Sequence, residues 1–254
     1  MTTDTTQLTR QRPHLAAPLA LYAKWQDFHR QLTPLLRHGA GDNAATGKAY
    51  PPQLAGPVIE LFATTFGLAE TALAPLAKAL LDGEVDFLQL PLHREAPPQE
   101  GEDAEDLDKV LFFLGRSHLL ELRHSAPGDG QEWRDGRCPL CSARAALSTI
   151  VEGPRRLLHC SWCATSGPFR YLGCPSCGTT DSEKLGTIFC DEEPGYRVST
   201  CDNCHSYVKV AEEAAVATIG LDLADLVSLP LDIIAQGKGY RRLAPNPIGL
   251  VKIS

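Results

Sequence analysis

Cysteine is missing from the first 137 residues of this 254-residue chain, and all nine cysteines lie between Cys138 and Cys204. Disulfide frameworks are typical of secreted proteins, whereas clustered cysteines in a reducing compartment are more often metal ligands or redox groups. We therefore expect the chemistry of this chain to lie in its C-terminal half.

A bilayer-spanning apolar segment is also missing, since a transmembrane helix needs roughly 20 such residues. Residues 15–23 are apolar and follow Arg10 and Arg12, which superficially resembles a signal peptide. The apolar residues continue at helical spacing to Leu36, so we expect an internal helix instead. The sequence thus predicts no membrane insertion and a cytoplasmic location.

An excess of positive charge is absent as well. The net charge is −7, and residues 134–209 contain nine Lys and Arg residues against eight Asp and Glu residues. Proteins that bind a phosphate backbone usually carry a basic patch or stripe. Nucleic acid is therefore not an expected partner, and a nucleic-acid-binding zinc ribbon is kept only as an alternative function.

Catalytic motifs are lacking too. The chain contains no nucleophile elbow, no glycine-rich phosphate loop and no His-x-x-x-His metal motif. The sequence therefore predicts a protein that is not an enzyme, with no catalytic residues and no organic cofactor site.

What the chain does have is four Cys-x-x-Cys pairs. Two residues between the cysteines allow a tight turn that points both sulfurs to one place, where backbone amides can donate hydrogen bonds to them. Two such pairs complete a tetrahedral site of four thiolates. The predicted ligands of two metal ions are Cys138, Cys141, Cys160, Cys163, Cys174, Cys177, Cys201 and Cys204.

The gaps between the pairs predict how they combine. Eighteen residues separate the first pair from the second, and 23 separate the third from the fourth, which is room for a β-hairpin in each case. Only ten residues join the second pair to the third. We therefore expect sequential sites, one from the first two pairs and one from the last two. Interleaved pairing is the alternative.

The four-cysteine ligand set leaves the metal open between zinc and a single rubredoxin-type iron. Such a site has no open position for water or substrate, which argues against metal catalysis. Cys190 has no partner and is expected to be a small buried apolar residue. His159 and His205 flank ligand cysteines, but each site is complete without them, so we expect them at most to lie beside the ligands.

The rest of the sequence predicts helices on both sides of the cysteine region, with short strands inside it. Pro75 is expected to split the second helical stretch, and Pro230 to kink the last one or to start its second half. The helical stretches are residues 15–37, 54–81, 106–123 and 221–236. The strand segments are residues 155–159, 169–172, 184–189, 196–200 and 206–210.

Several ordered motifs accompany the four cysteine pairs. Leu158-His159 precedes the second pair, and Tyr207-Val208-Lys209 follows the fourth. Further motifs are Leu223-Ala-Asp-Leu226-Val, Leu231-Asp232, Gly239-Tyr240, Arg242 and Asn246-Pro247. Over about residues 137–248 this arrangement resembles the FdhE family of formate dehydrogenase accessory proteins. It departs from the family after Cys163, where this chain reads Ala-Thr-Ser-Gly-Pro and relatives carry Glu and Trp.

That resemblance implies an α+β fold, with a helical N-terminal domain, two rubredoxin-like or zinc-ribbon modules and a C-terminal helix. It also implies iron as the metal, and a cytoplasmic accessory factor for formate dehydrogenase. Such a factor binds the enzyme's catalytic subunit, a molybdenum or tungsten selenoprotein, before export by the twin-arginine route. Rubredoxin-like electron transfer is the other alternative function, and the oligomeric state is not predicted.

We expect five segments along the chain. They are a disordered N-terminus (residues 1–14), the helical domain (15–130), the first metal-binding ribbon (131–172), the second metal-binding ribbon (173–212) and the C-terminal helix and tail (213–254).

Overall fold

The computed structural model places a helical part before a seven-stranded sheet, with three further α-helices between the last two strands in the described residues, which confirms the predicted α+β fold. None of the described helices is both long and apolar enough to span a membrane. The residues described are 5–39, 48–93, 102–125, 129–151 and 155–253. The helices of the first part are α1 (Thr5–Gln11), α2 (Ala16–Gly39), α3 (Ala55–Phe66), α4 (Ala74–Leu81), α5 (Leu90–His93) and α6 (Glu102–Ser125).

The two longest helices, α2 and α6, form the frame of the helical part, each with 24 residues. Most of the apolar stripe predicted for α2 is buried: Trp25, Phe28 and Leu32 are each at most 3% exposed, whereas Leu35 at its end is 36% exposed. Phe28 meets Phe62 of α3 edge-on, with ring centroids 5.1 Å apart. The helix predicted over residues 15–37 is therefore confirmed, and its apolar face packs inward as the periodicity indicates.

The helical stretch predicted over residues 54–81 is divided, but not at Pro75. The first helix, α3, ends at Gly67, whose φ of +72° belongs to the left-handed region that glycine adopts without strain. Pro75 instead lies in the first turn of α4, where its missing N–H leaves no helical hydrogen bond unmade. The predicted position of the break was wrong because a glycine, and not the proline, ends the first helix.

The N-terminal segment also differs from expectation. Residues 1–14 were expected to be disordered, yet residues 5–11 form α1 and Leu8 is buried. Just after α1, Arg12 forms an ion pair with Glu193 at 2.6 Å and donates to the carbonyl of Val227 at 3.0 Å. These contacts join distant parts of the chain, so a polar local composition does not reveal them.

The sheet joins the strands of both cysteine regions. Its order is β3-β2-β1-β6-β5-β4, with β7 beside β6. Neighbouring strands are antiparallel except for β1 with β6 and β6 with β7, which are parallel. The strands are β1 (Leu147–Val151), β2 (Arg155–His159), β3 (Ser166–Phe169), β4 (Leu185–Phe189), β5 (Tyr196–Cys201), β6 (Ser206–Glu212) and β7 (Arg241–Arg242).

The predicted strands match β2, β4, β5 and β6 to within two residues. The strand predicted over residues 169–172 lies three residues earlier, as β3. Strand β1 was not predicted, because its polar Ser148 and Thr149 interrupt the apolar alternation that marks a half-buried strand. Both of these polar residues are buried in the sheet.

Strand β6 lies at the centre of this arrangement. One edge pairs with β5, while the other pairs with β7 at Ser206–Tyr207 and with β1 from Lys209 onward. The helix predicted over residues 221–236 is broken at Ser228, and Pro230 lies in the first turn of its second half, as the proline indicates. The C-terminal helices are α7 (Glu213–Ile219), α8 (Leu221–Val227) and α9 (Leu229–Gly237).

A closed network of four buried charges fixes this C-terminal region to the sheet. Lys209 of β6 pairs with Asp225 of α8 and Asp232 of α9, both at 2.6 Å. Arg242 of β7 pairs with the same two carboxylates, also at 2.6 Å. Although burial opposes ionisation, Arg242 and Lys209 hold the pKa of Asp232 below its usual value. Two cations therefore balance two anions, and loss of one member would leave a buried charge without compensation.

Replacing Asp232 by Ala should lower the free energy of unfolding by about 3 to 5 kcal/mol, because Lys209 and Arg242 would then share one carboxylate in a buried site. Denaturant unfolding of the metal-loaded protein measures this change. Asp82→Ala is the matched control, since Asp82 pairs with Lys78 at the surface and its loss should cost less than about 1 kcal/mol. Equal effects of the two substitutions would show that the network contributes no more than a surface ion pair.

Candidate metal centres

The eight cysteines of the Cys-x-x-Cys pairs lie in two groups of four, and within each group all four Sγ atoms are within 4.8 Å of one another. The first two pairs form one group and the last two pairs the other, which is the sequential arrangement indicated by the gap lengths. The first cluster comprises Cys138, Cys141, Cys160 and Cys163, and the second cluster comprises Cys174, Cys177, Cys201 and Cys204.

The spacing of the sulfurs has the size of a tetrahedral metal–thiolate site. In the first cluster each sulfur of one pair lies 3.4 Å from a sulfur of the other pair, and in the second cluster this distance is 3.7 Å. Four thiolates bound at about 2.3 Å to one ion lie about 3.8 Å apart. Each cluster could therefore hold one metal ion with little movement, and the ligand set suits both zinc and iron.

All four cysteine pairs end in the same backbone geometry. The residue after the second cysteine has a positive φ in every case, at Ser142 (60°), Ala164 (56°), Gly178 (76°) and His205 (51°). Ser142, Ala164 and His205 are the only non-glycine residues with a positive φ in the described part of the chain. Because this conformation is strained for residues with a Cβ, the cysteine turn imposes it against their own preference.

The first cluster is enclosed by apolar side chains. All four of its cysteines are buried. Trp162, which lies between the cysteines of the second pair, is 1% exposed and packs edge-on against Phe112 of α6, with ring centroids 4.7 Å apart. This contact ties the first cluster directly to the helical part.

The electrostatics of the first cluster favour a bound cation. Burial raises the pKa of Cys141 and Cys160 well above the usual value of a thiol. Hydrogen bonds from the three neighbouring cysteines lower the pKa of Cys163 instead. The protein groups around the cluster thus favour the thiolate form of Cys163 and disfavour that of Cys141 and Cys160. A cation at the centre would stabilise four thiolates, because its charge offsets their mutual repulsion.

The second cluster reaches the protein surface. Cys177 is exposed and Cys204 is partly buried, whereas Cys174 and Cys201 are buried. Polar groups donate to its sulfurs: the amide of Ser176 to Cys174 at 3.3 Å and the side-chain amide of Asn203 to Cys177 at 3.4 Å. Such hydrogen bonds offset part of the thiolate charge where apolar enclosure is absent.

Neither flanking histidine lies in a cluster. His159 is buried between β1 and β3, with its ring nitrogens 2.8 Å from the Thr149 hydroxyl and 2.7 Å from the Ser166 hydroxyl. Burial lowers the pKa of His159 to about 4, so its ring is neutral near pH 7. His205 is exposed at the end of the fourth pair. Both therefore lie beside the cysteine pairs without joining the groups of four sulfurs.

Cys190 lies outside both clusters, and it is less buried than expected. Its side chain is only partly buried, and its thiol donates to the Glu192 carboxylate at 3.0 Å. It follows the edge strand β4, whose last residue, Phe189, is 71% exposed. The expectation of a buried apolar cysteine was wrong because this edge of the sheet has no covering layer in the described structure.

The fold and the two four-sulfur clusters define a class of protein: a helical part joined to a sheet that carries two rubredoxin-like or zinc-ribbon cysteine sites. Residues 158–248 match the family model described as "FdhE, C-terminal domain". This part of the chain is thus similar to the FdhE C-terminal domain, which agrees with the resemblance found from the motifs.

Curated relatives and a solved structure show the same likeness. A "Protein FdhE homolog" from Aquifex aeolicus is 28% identical over 150 residues, covering 56% of this chain and 53% of the relative. Another from Shewanella sp. is 34% identical over 116 residues, covering 44% of this chain and 37% of the relative. The matched regions thus span about half, or less, of these relatives. The crystal structure of the FdhE protein from Pseudomonas aeruginosa has the same fold, with a TM-score of 0.58 and 21% identity over 95% of this chain and 92% of that one.

Replacing Cys174 and Cys177 together by Ser should lower the metal content from two ions per chain to one, because the second cluster would keep only half of its thiolates. It should also unfold the second ribbon, since bound metal supplies much of the stability of such modules. Elemental analysis and circular dichroism of protein purified without oxygen measure both effects. Cys190→Ser is the matched control and should keep two ions. Unchanged metal content in the double variant would refute the assignment.

The two clusters should release zinc at different rates, because the second cluster is open at Cys177 whereas the first is enclosed. With excess colorimetric chelator, we expect one ion to leave roughly tenfold or more faster than the other, since release from the enclosed cluster needs local opening. The Cys174/Cys177 double variant should lack the fast phase. A single common rate, or loss of the slow phase in that variant, would contradict this difference between the clusters.

Proposed function

We propose that this chain is a non-enzymatic accessory factor that holds one metal ion in each four-cysteine cluster and acts on formate dehydrogenase by binding its catalytic subunit. The observation that carries this proposal is the pair of four-sulfur clusters built into a single sheet within an FdhE-type fold. The metal ligands in this proposal are the eight cysteines of the two clusters.

A structural role for the metals is supported by the ligand sets. Four thiolates complete a tetrahedral shell, so no coordination position is left for a substrate or for an attacking water. The metal therefore serves to hold backbone together. In the first cluster it would fix residues 138–163 against α6 through Trp162 and Phe112. The domain boundaries at residues 130, 172 and 212 remain part of this proposal.

A protein as the partner is supported by what the surface offers. The segment with the clusters carries nearly equal numbers of basic and acidic residues, which does not suit a phosphate backbone. Apolar side chains are exposed near the second cluster, with Leu172 61% and Tyr171 47% accessible. Exposed apolar groups of this kind suit contact with another protein. The named client, formate dehydrogenase, and a cytoplasmic location follow from the family resemblance.

The proposed interaction predicts that the tagged chain copurifies with the formate dehydrogenase catalytic subunit when both are produced in the same cells. Deleting the gene for this chain should abolish formate oxidation, and the wild-type gene should restore it. Both effects depend on a folded second ribbon, so the Cys174/Cys177 double Ser variant should fail in both assays.

The Cys190→Ser variant serves as the control, since Cys190 lies outside the clusters and its substitution should leave copurification and formate oxidation unchanged. Full formate oxidation in the deletion strain would end the proposed function. A folded double variant with one metal ion that still supports the enzyme would show that the second cluster is not needed for it.

A further inference from the structure

The first ribbon is in direct contact with the third cysteine pair. Gly136, from the first ribbon, has a φ of +64° and lies so close to the third pair that a Cβ added to it would be 1.8 Å from the carbonyl oxygen of Pro175. Pro175 follows Cys174 directly. Only glycine fits at this position, so the loop of the first ribbon rests on the backbone turn that carries half of the second cluster.

Two arginines of the first ribbon hold the backbone on both sides of Cys174. Arg156 of β2 donates from Nη1 to the carbonyl of Gly173 at 3.0 Å. Arg144 donates from Nη1 to the carbonyl of Pro175 at 3.2 Å. Arg144, Arg156 and Cys174 also line one cavity of about 150 Å³. Both guanidinium groups therefore lie near the second cluster although neither belongs to its ribbon.

Among the described residues, Arg156 is a buried cation without a carboxylate partner. It is 5% exposed, and its other contacts are a hydrogen bond from Nε to the Ser148 hydroxyl at 2.9 Å and the Phe169 ring 5.7 Å from its guanidinium carbon. Its Nη2 has no hydrogen-bond partner in the described residues. Burial lowers the pKa of Arg156 to about 10, while the negative charge of Cys174 acts in the opposite direction. An unpaired buried charge is unfavourable, so an anionic neighbour would stabilise Arg156.

The proposed metal site supplies that neighbour. Four thiolates around one divalent ion leave two uncompensated negative charges. With a metal bound, the second cluster would place negative charge beside both arginines, since Cys174 lies between the two carbonyls that they hold. We propose that Arg156, assisted by Arg144, forms a cationic clamp by which the first ribbon balances the charge of the second cluster and strengthens its hold on the metal.

This inference rests on the metal binding proposed above, and it goes beyond it by giving two non-ligand residues a role. Arg144 and Arg156 also couple the two ribbons. Both belong to the first ribbon, yet both help the second cluster to hold its metal. Arg156 and Arg144 are positioning residues, since they act on the metal through the thiolates and the backbone.

The test is the zinc affinity of the second cluster in the full chain, measured by competition with a chelator. Arg156→Gln should weaken binding of the faster-released ion about 10- to 100-fold, as is usual when a partner of the ligands is removed, and leave the other ion unchanged. Arg156→Lys keeps the charge and should restore most of the affinity. Arg155→Gln is the matched control, because Arg155 is exposed on the same strand and does not line the cavity.

The reduction potential of bound iron distinguishes an effect of the Arg156 charge from an effect of its packing. With iron in the clusters, Arg156→Gln should lower the reduction potential of the ion in the second cluster. Removing a nearby positive charge disfavours the reduced site, which carries one more negative charge than the oxidised site. Arg156→Lys should leave that potential nearly unchanged. If Arg156→Gln does not fold, Arg144→Gln provides the same test at a partly exposed side chain, with a smaller effect in the same direction.

Each outcome decides one question. Two bound ions with unchanged affinity and potential in both folded Gln variants would overturn the clamp and leave the proposed function intact. Loss of the ion from the first cluster instead of the second in these variants would also overturn the clamp. Wild-type protein that binds no metal would refute the metal centres and the clamp together.

Discussion

The mutual repulsion of four thiolates is the constraint on which the C-terminal half of this protein depends. The turns that carry the cysteines force Ser142, Ala164 and His205 into a strained backbone conformation, and they place sulfurs within 3.4 to 3.7 Å of one another. Neither arrangement is favourable for the isolated chain. Both become favourable when one cation binds to each group, because metal–thiolate bonds offset the strain and the repulsion.

The clusters are built into the fold, since the strands that leave them form one sheet. Strand β6 begins two residues after Cys204, and it pairs in parallel with β1, which follows the first cysteine pair. The charge network of Lys209, Asp225, Asp232 and Arg242 then fixes the C-terminal helices and β7 onto the same strand. The tail motifs of the family resemblance thus contain three members of this network, Asp225, Asp232 and Arg242, and Lys209 closes the motif after the fourth pair.

The spacing of the cysteines was sufficient to predict the grouping of the sulfurs, because a Cys-x-x-Cys turn is a local structure and the gap lengths limit which turns can meet. Helix α2 was predictable for the same reason, since its periodicity is local. The parallel pairing of β1 with β6 joins residues about 60 positions apart, and no local pattern encodes it. The burial of Arg156 and the order of α1 also depend on distant partners, so sequence reasoning missed them. The glycine after the third pair was a visible sign of the left-handed turn, but the other three pairs do not carry it.

The difference between the clusters suggests a division of labour within one metal-bound scaffold. The first is enclosed by the helical part, while the second is open at Cys177 and is neighboured by arginines from the first ribbon. We propose that eight of the nine cysteines bind two metal ions. Native mass spectrometry of protein purified without oxygen, combined with counting of reactive thiols, tests this most directly. We expect two zinc or iron ions per chain, with Cys190 as the readily modified thiol and the other eight protected until the metal is removed. Folded protein that carries no metal, or whose cluster cysteines are joined in disulfides, would contradict it.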